Sequence, residues 1–315
     1  MNAVINRRDG DGRVKVSLSE LLAQRARVAH IAMQSLDSRA VPSGHQFSRL
    51  YGRGMDYAES RVYQPGDDVR RLDWRLTARS GKLHTKLFQE EREGRLLILL
   101  DMHASMRFGT RVRFKSVQAA RAAALAAWCA VRAGERVGAL AFGNQRHHVR
   151  PHGGASGALA ICGALAGWDV QPSAQGDESL SEALQRAGRL LHGSSRVLLI
   201  SDGFSCDDAA RGRLLDLSRH AGARILVVAD ALELQPAPPG RYPLEHDGVQ
   251  REVSLQAERQ RRDFQRVLGV GQARLAGLAK SLGLPCRSID TATDPLDAIA
   301  ALLGAPRRSA ASARS

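Results

Sequence analysis

Two aspartates stand where a chain can bring oxygen ligands together. Asp101 ends the apolar run RLLILL, and Asp202 follows RVLLIS. If both runs are buried parallel strands, their carboxyl ends open onto the crevice where α/β sheets bind ligands, above all where the strand order reverses. The neighbouring residues read DMHASM and SDGFS, so carboxylates and hydroxyls converge on that crevice. Such donors suit a hard divalent cation, Mg²⁺ or Mn²⁺. His103, between Asp101 and Ser105, is a poor ligand for those ions and a good one for Zn²⁺ or nickel. A plainer reading makes both aspartates caps of the helices that follow, and His103 a hydrogen-bonded loop residue.

A second constellation runs Gly66, Asp67, Asp68, Val69, Arg70, Arg71, Leu72, Asp73, Trp74, Arg75, with Arg79 shortly after. Arginine forks and carboxylates form bidentate pairs, and a network of them would stiffen a loop built around Gly66. The same residues read equally well as a recognition surface, with Asp67, Trp74, Arg75 and Arg79 exposed to a partner protein. Linear sequence does not separate an internal ion network from a docking surface.

The run YQPGDDVRRLDWRLTARSGKLHTKLFQEE, followed closely by LLILLDMHASMRFG, resembles the signature of a bacterial family. That family is the von Willebrand factor A-like group known as domain of unknown function fifty-eight. The similarity is dense from about residue 53 to 109 and resumes in SDGF, GRYPLEHDG and DPLDAIAALL. It implies a Rossmann-like fold that acts in protein interaction rather than catalysis. It also implies a MoxR-type AAA+ ATPase as partner, with this chain as adaptor or presenter of a client protein. Von Willebrand A domains with a metal-ion-dependent adhesion site carry D-x-S-x-S, then a threonine, then an aspartate. Asp101 and Ser105 match, His103 replaces the first serine, and Asp202 matches the last aspartate. Spacing puts Glu178, or Ser179 with a one-residue shift, where the threonine belongs. The resemblance therefore implies a degenerate site that is lost or has changed its metal.

The elements that must position these residues follow from hydrophobic period. RLLILLD, RVGALAFG, RVLLISD and ARILVVAD are short apolar runs of buried-strand type. Between them, Val117, Ala120, Ala124, Trp128 and Val131 mark one helix face that stops at Gly134, and LSEALQRAGRLL and ARGRLLDLSRHA read as further helices. The alternation predicts an α/β architecture, a mostly parallel sheet flanked by helices. Ser17 and Glu20 form a capping-box pattern that starts a helix reaching Met33, an N-terminal arm within residues 1–45. Residues 46–93 hold the charged motif, with LHTKLFQE as a strand, and residues 94–304 form the main domain. Within it, the prolines from Pro236 open a β insertion over about 236–255, a hairpin turning at Asp247 and Gly248 that extends the sheet. One long polar helix spans roughly 256–282, PCRSID adds a strand, DPLDAIAALL closes the fold, and 305–315 is a disordered tail.

Composition narrows the function further. The chain has 315 residues, 43% of them hydrophobic, enough for a large buried core. No apolar run approaches the roughly 18 residues of a membrane span, and no apolar segment follows the first charges as a signal peptide requires. A cytoplasmic location is expected. The four cysteines lie far apart, without redox or zinc spacing. The formal charge of +14 comes from scattered arginines, with only five lysines, and lacks the basic arm that nucleic-acid binding favours. His147, His148 and His152 lack zinc spacing and read as a solvated hairpin. Neither a phosphate-binding G-x-x-x-x-G-K-[ST] loop nor a G-x-S-x-G elbow occurs. Two alternatives stay open: a metal-dependent hydrolase built on Asp101, His103 and Asp202, and a nucleic-acid-binding protein.

Overall fold

The computed structural model describes residues 9–31, 55–90, 94–170, 177–191, 195–246 and 249–304. The chain divides into two compact units, residues 36–93 and the remainder.

Helix α1 (Leu18–Arg27) begins as its sequence predicts, with the Ser17 side chain accepting the amide of Glu20. It is shorter than expected: a 3₁₀ turn, Val28–His30, follows Arg27, and residues 32–33 lie outside the described part. The Arg132 guanidinium donates to the Val28 carbonyl and supplies the partner a further helical turn would have given. Nor is α1 a free arm. Leu21 and Val28 are buried in the main core, and Trp128 Nε1 donates to the Leu21 carbonyl at 3.2 Å.

The smaller unit pairs β1 (Met55–Val62) antiparallel with β2 (His84–Glu90) around a short helix, α2 (Trp74–Ser80). Asp73 caps α2 and Gly81, at φ +72°, ends it.

In the larger unit the predicted alternation is met. It runs β3 (Arg95–Asp101), α3 (Lys115–Arg132), β4 (Arg136–Phe142), β5 (His147–His152), α4 (Gly154–Val170), α5 (Leu180–Leu190), β6 (Ser195–Ser201), α6 (Ala210–His220) and β7 (Gly222–Ala229). A short α7 (Ala231–Leu234), the hairpin β8 (Gly240–His246) and β9 (Val249–Leu255), α8 (Glu258–Leu268), α9 (Val270–Ser281), β10 (Cys286–Asp290) and α10 (Pro295–Leu303) complete it. The six-stranded sheet has the order β10-β7-β6-β3-β4-β5, parallel except for the edge strand β5. Successive side chains of β3 point to opposite faces. Leu96, Ile98 and Leu100 join α1, α3, α4 and α10 in one core, while Leu97 and Leu99 join α5, α6 and α9 in the other. Between β3 and β6 the strand order reverses, so the ends of these two strands form the switch-point crevice.

The histidines at 147, 148 and 152 lie on β5, which pairs antiparallel with β4 as a hairpin at the sheet edge, and His148 and His152 are exposed as expected. Two expectations are corrected. The β8–β9 pair forms a two-stranded sheet of its own, packed through Leu255, Tyr242 and Val253 on Leu232 and Phe264, and does not extend the main sheet. Its turn at Asp247 and Gly248 lies outside the described residues. The long polar helix is two, broken at Gly269, where a Cβ would lie 2.6 Å from the Glu233 carbonyl oxygen. Among the described residues no helix is long and apolar enough to cross a membrane.

Candidate functional site

The crevice at the ends of β3 and β6 has a volume of about 630 Å³ and is lined by His103, Ser105, Asn144, Asp177, Ser205 and Arg274, among others. Its floor is fully buried. Asp101 Oδ2 accepts from Ser201 Oγ at 2.6 Å and Ser205 Oγ at 2.8 Å, and its Oδ1 accepts the His103 amide at 3.0 Å. The same Oδ1 lies 2.6 Å from His103 Nδ1, and His103 Nε2 lies 3.1 Å from Asp177 Oδ1. A carboxylate oxygen only accepts, so the ring donates to Asp101 through Nδ1, and the Asp177 carboxylate near Nε2 favours the charged form of the ring. Burial pulls the His103 pKa down, but the hydrogen bond and charge of Asp101 outweigh it and hold it above 6.5. The Asp101 carboxyl is raised by burial and lowered further by His103, so it ends below its ordinary value.

Asp202 is also fully buried. Its Oδ1 accepts the Phe204 amide at 3.0 Å, and its Oδ2 lies 2.8 Å from Lys115 Nζ. Lys115, the first residue of α3, also reaches Glu233 Oε1 at 2.6 Å and lies over the rings of Phe108 and Phe204. Burial lowers its pKa, and the two carboxylates raise it by more.

The structure therefore brings Asp101, His103, Ser105 and Asp202 to one crevice. Sequence reasoning passed over Lys115 and Glu233, whereas Ser201 and Ser205 belong to the SDGFS run it placed at the crevice. One signal was present: Lys115 is one of only five lysines in an arginine-rich chain. Glu178, a candidate for the threonine position, is buried and held at both oxygens by Arg186, at 3.0 and 2.6 Å. Ser179, the other candidate, closes a capping box with Glu182 at the start of α5. A divalent ion needs carboxylate oxygens with open lone pairs. Every oxygen of Asp101 and Asp202 already has a partner within the protein, so this donor set fits such an ion poorly. Ser105 Oγ alone is left over, buried and without a hydrogen-bond partner.

In the smaller unit the second constellation sorts itself by charge. The acids turn inward to local backbone: Asp67 accepts from the Gln64 amide and from Arg61, Asp68 from the Arg70 amide, and Asp73 from the Leu76 amide and Ser60. Gly66, at φ +107°, lies in the turn that leads into them. Trp74 is 67% exposed, and Arg70, Arg75 and Arg79 are exposed without an ion-pair partner among the described residues. The acids bond mainly to backbone amides, and the ion pair of Asp67 joins it to Arg61, outside the motif. Asp67, expected on the exposed face, is half-buried in its ion pair with Arg61.

A family model described as protein of unknown function DUF58 matches residues 59–273. The uncharacterized proteins Rv1480 of Mycobacterium tuberculosis and Mb1516 of Mycobacterium bovis are each 31% identical over 282 residues, covering 88% of this chain and 87% of theirs. Similar solved structures include BatB from Bacteroides thetaiotaomicron, at TM-score 0.42 and 14% identity over 65% of this chain and 95% of that one. An aerotolerance-related membrane protein from Bacteroides fragilis gives TM-score 0.44 and 16% identity over 66% and 96%. A von Willebrand factor type A structure from Catenulispora acidiphila gives TM-score 0.33 and 16% identity over 61% and 45%.

Proposed function

The chain belongs to the family described as protein of unknown function DUF58, and from that premise we propose that it is a non-enzymatic protein-docking module of the cytoplasm. Its partner is a MoxR-type AAA+ ATPase, to which it presents a client protein. The observation that carries this reading is the crevice itself: a floor whose charges are paired internally, under a polar rim of Asn144, Asp177, Ser205 and Arg274. Recognition asks for such a preorganised rim; hydrolysis asks for a free base. Neither Asp101 nor Asp202 has an uncommitted oxygen to take a proton from water, which disfavours the hydrolase alternative. The exposed Trp74 with Arg70, Arg75 and Arg79 supplies a second contact for the same partner, since Trp and Arg are common interface anchors.

The test is binding of a cognate MoxR-type ATPase to the immobilised full chain, wild type against Arg274→Glu and Asn144→Arg. Loss of a rim anchor costs about 1–2 kcal/mol, so each variant weakens binding roughly tenfold. Binding of both variants within about twofold of wild type removes the crevice from the interface.

A further inference from the structure

The resemblance to a metal-ion-dependent adhesion site and the observed donor set disagree, and the disagreement has a structural cause. The first serine of D-x-S-x-S is His103, and the backbone opposite is built to receive a ring. Gly143 sits at φ +101°, and a Cβ there would lie 2.6 Å from His103 Nδ1 and 2.8 Å from Cε1. The ring also meets Phe142 edge-on, with centroids 5.8 Å apart. The imidazole is thus held by packing on one side and by Asp101 and Asp177 on its two nitrogens. On the other side of the crevice floor, Lys115 is 1% exposed and sits between Asp202 and Glu233. Each of the two crevice aspartates therefore has a side-chain donor held against it, His103 for Asp101 and Lys115, shared with Glu233, for Asp202.

We propose that the side chains of His103 and Lys115 together take the place of a divalent metal ion, one donating to Asp101 and the other to Asp202, so that this crevice is a metal-independent adhesion site. The carboxylate oxygens that an entering ion would use are already met by donors of the protein itself. Ser105, whose Oγ is buried without a hydrogen-bond partner, lies on the wall of the same crevice. The inference goes beyond the docking reading and concerns the isolated chain. Its failure and a failure of partner binding are therefore read in separate experiments.

The experiment is calorimetric titration of the full chain with Mg²⁺ and with Mn²⁺ after EDTA treatment and desalting, with thermal unfolding recorded in parallel. Wild type is expected to give no saturable heat and the same midpoint with and without either ion. The double variant His103→Ser, Lys115→Met restores D-x-S-x-S and frees Asp202, and it is expected to bind Mn²⁺ at least about tenfold more tightly than wild type. Saturable Mn²⁺ binding by wild type that is lost in Asp202→Ala overturns the proposal. So does a folded double variant that binds no more tightly than wild type. If the double variant folds only with Mn²⁺ present, the proposal stands, because the metal and the two side chains are then interchangeable. If it does not fold in either condition, His103→Ser is titrated in its place: tighter Mn²⁺ binding than wild type supports the proposal, and unchanged binding overturns it.

Discussion

Replacing Lys115 with Met isolates the strongest electrostatic term in the crevice. Methionine keeps most of the length and the apolar stem, so the change is the loss of an ammonium 2.8 Å from Asp202 and 2.6 Å from Glu233, in a side chain 1% exposed. Two buried carboxylates are then left without their cation. Removing one partner of a buried ion cluster costs about 3–5 kcal/mol, because the remaining charge has neither water nor a counter-ion. At about 2–4 °C per kcal/mol for a unit of this size, the unfolding midpoint should fall by about 6–20 °C. The cleaner assay is urea unfolding at neutral pH, where the midpoint falls while the slope stays constant. The deficit should also narrow in acid. Burial already pushes the Glu233 carboxyl up, and without Lys115 it takes up a proton at higher pH and sheds its unpaired charge. A variant within about 1 kcal/mol of wild type at neutral pH would mean that Lys115 is solvated or mobile, and would refute the reasoning.

Three further outcomes are expected. The His103 pKa is raised above 6.5, so its pairing with Asp101 stabilises the fold fully below that pH and less as pH rises through the folded-state pKa; urea midpoints between mildly acidic and mildly alkaline pH should show this slope, and His103→Gln should lack it. Gly143→Ala forces a side chain onto φ +101° and into the imidazole, at a cost of about 1–3 kcal/mol, and pairing it with His103→Ser should recover part of the loss in the same unfolding assay. In the smaller unit, Asp73→Ala removes the cap of α2 and costs about 1 kcal/mol by thermal unfolding, whereas Trp74→Ala stays within about 0.5 kcal/mol yet weakens recovery of the ATPase.

Local pattern carried most of the fold. Runs such as RLLILL and RVLLIS are too short and too apolar to be anything but buried strands in this alternation, so the sheet and the crevice carboxylates followed from them. Helix α4 escaped because GASGALAICGALAGWDV is small and apolar almost throughout, without the polar stripe that reveals a helical period. The break at Gly269 depends on the close approach of the Glu233 carbonyl, a tertiary contact that no local period encodes. At the site, the positions of Asp101, His103, Ser105 and Asp202 were legible as strand-end residues. The buried partner of Asp202 was not, because Lys115 stands 87 residues away in sequence and is shared with Glu233, 118 residues away. The motif around Gly66 was legible as a unit, but only the observed hydrogen bonds separate its inward acids from its outward Trp74 and arginines.

The central claim, that His103 and Lys115 occupy the crevice carboxylates in place of a metal, is tested most directly by diffraction from crystals of the full chain soaked in millimolar Mn²⁺. Anomalous difference density should show no peak within coordinating distance of Asp101 or Asp202, and Lys115 Nζ should lie between Asp202 and Glu233. A manganese peak bridging the two aspartates, with Lys115 swung away, would contradict the account.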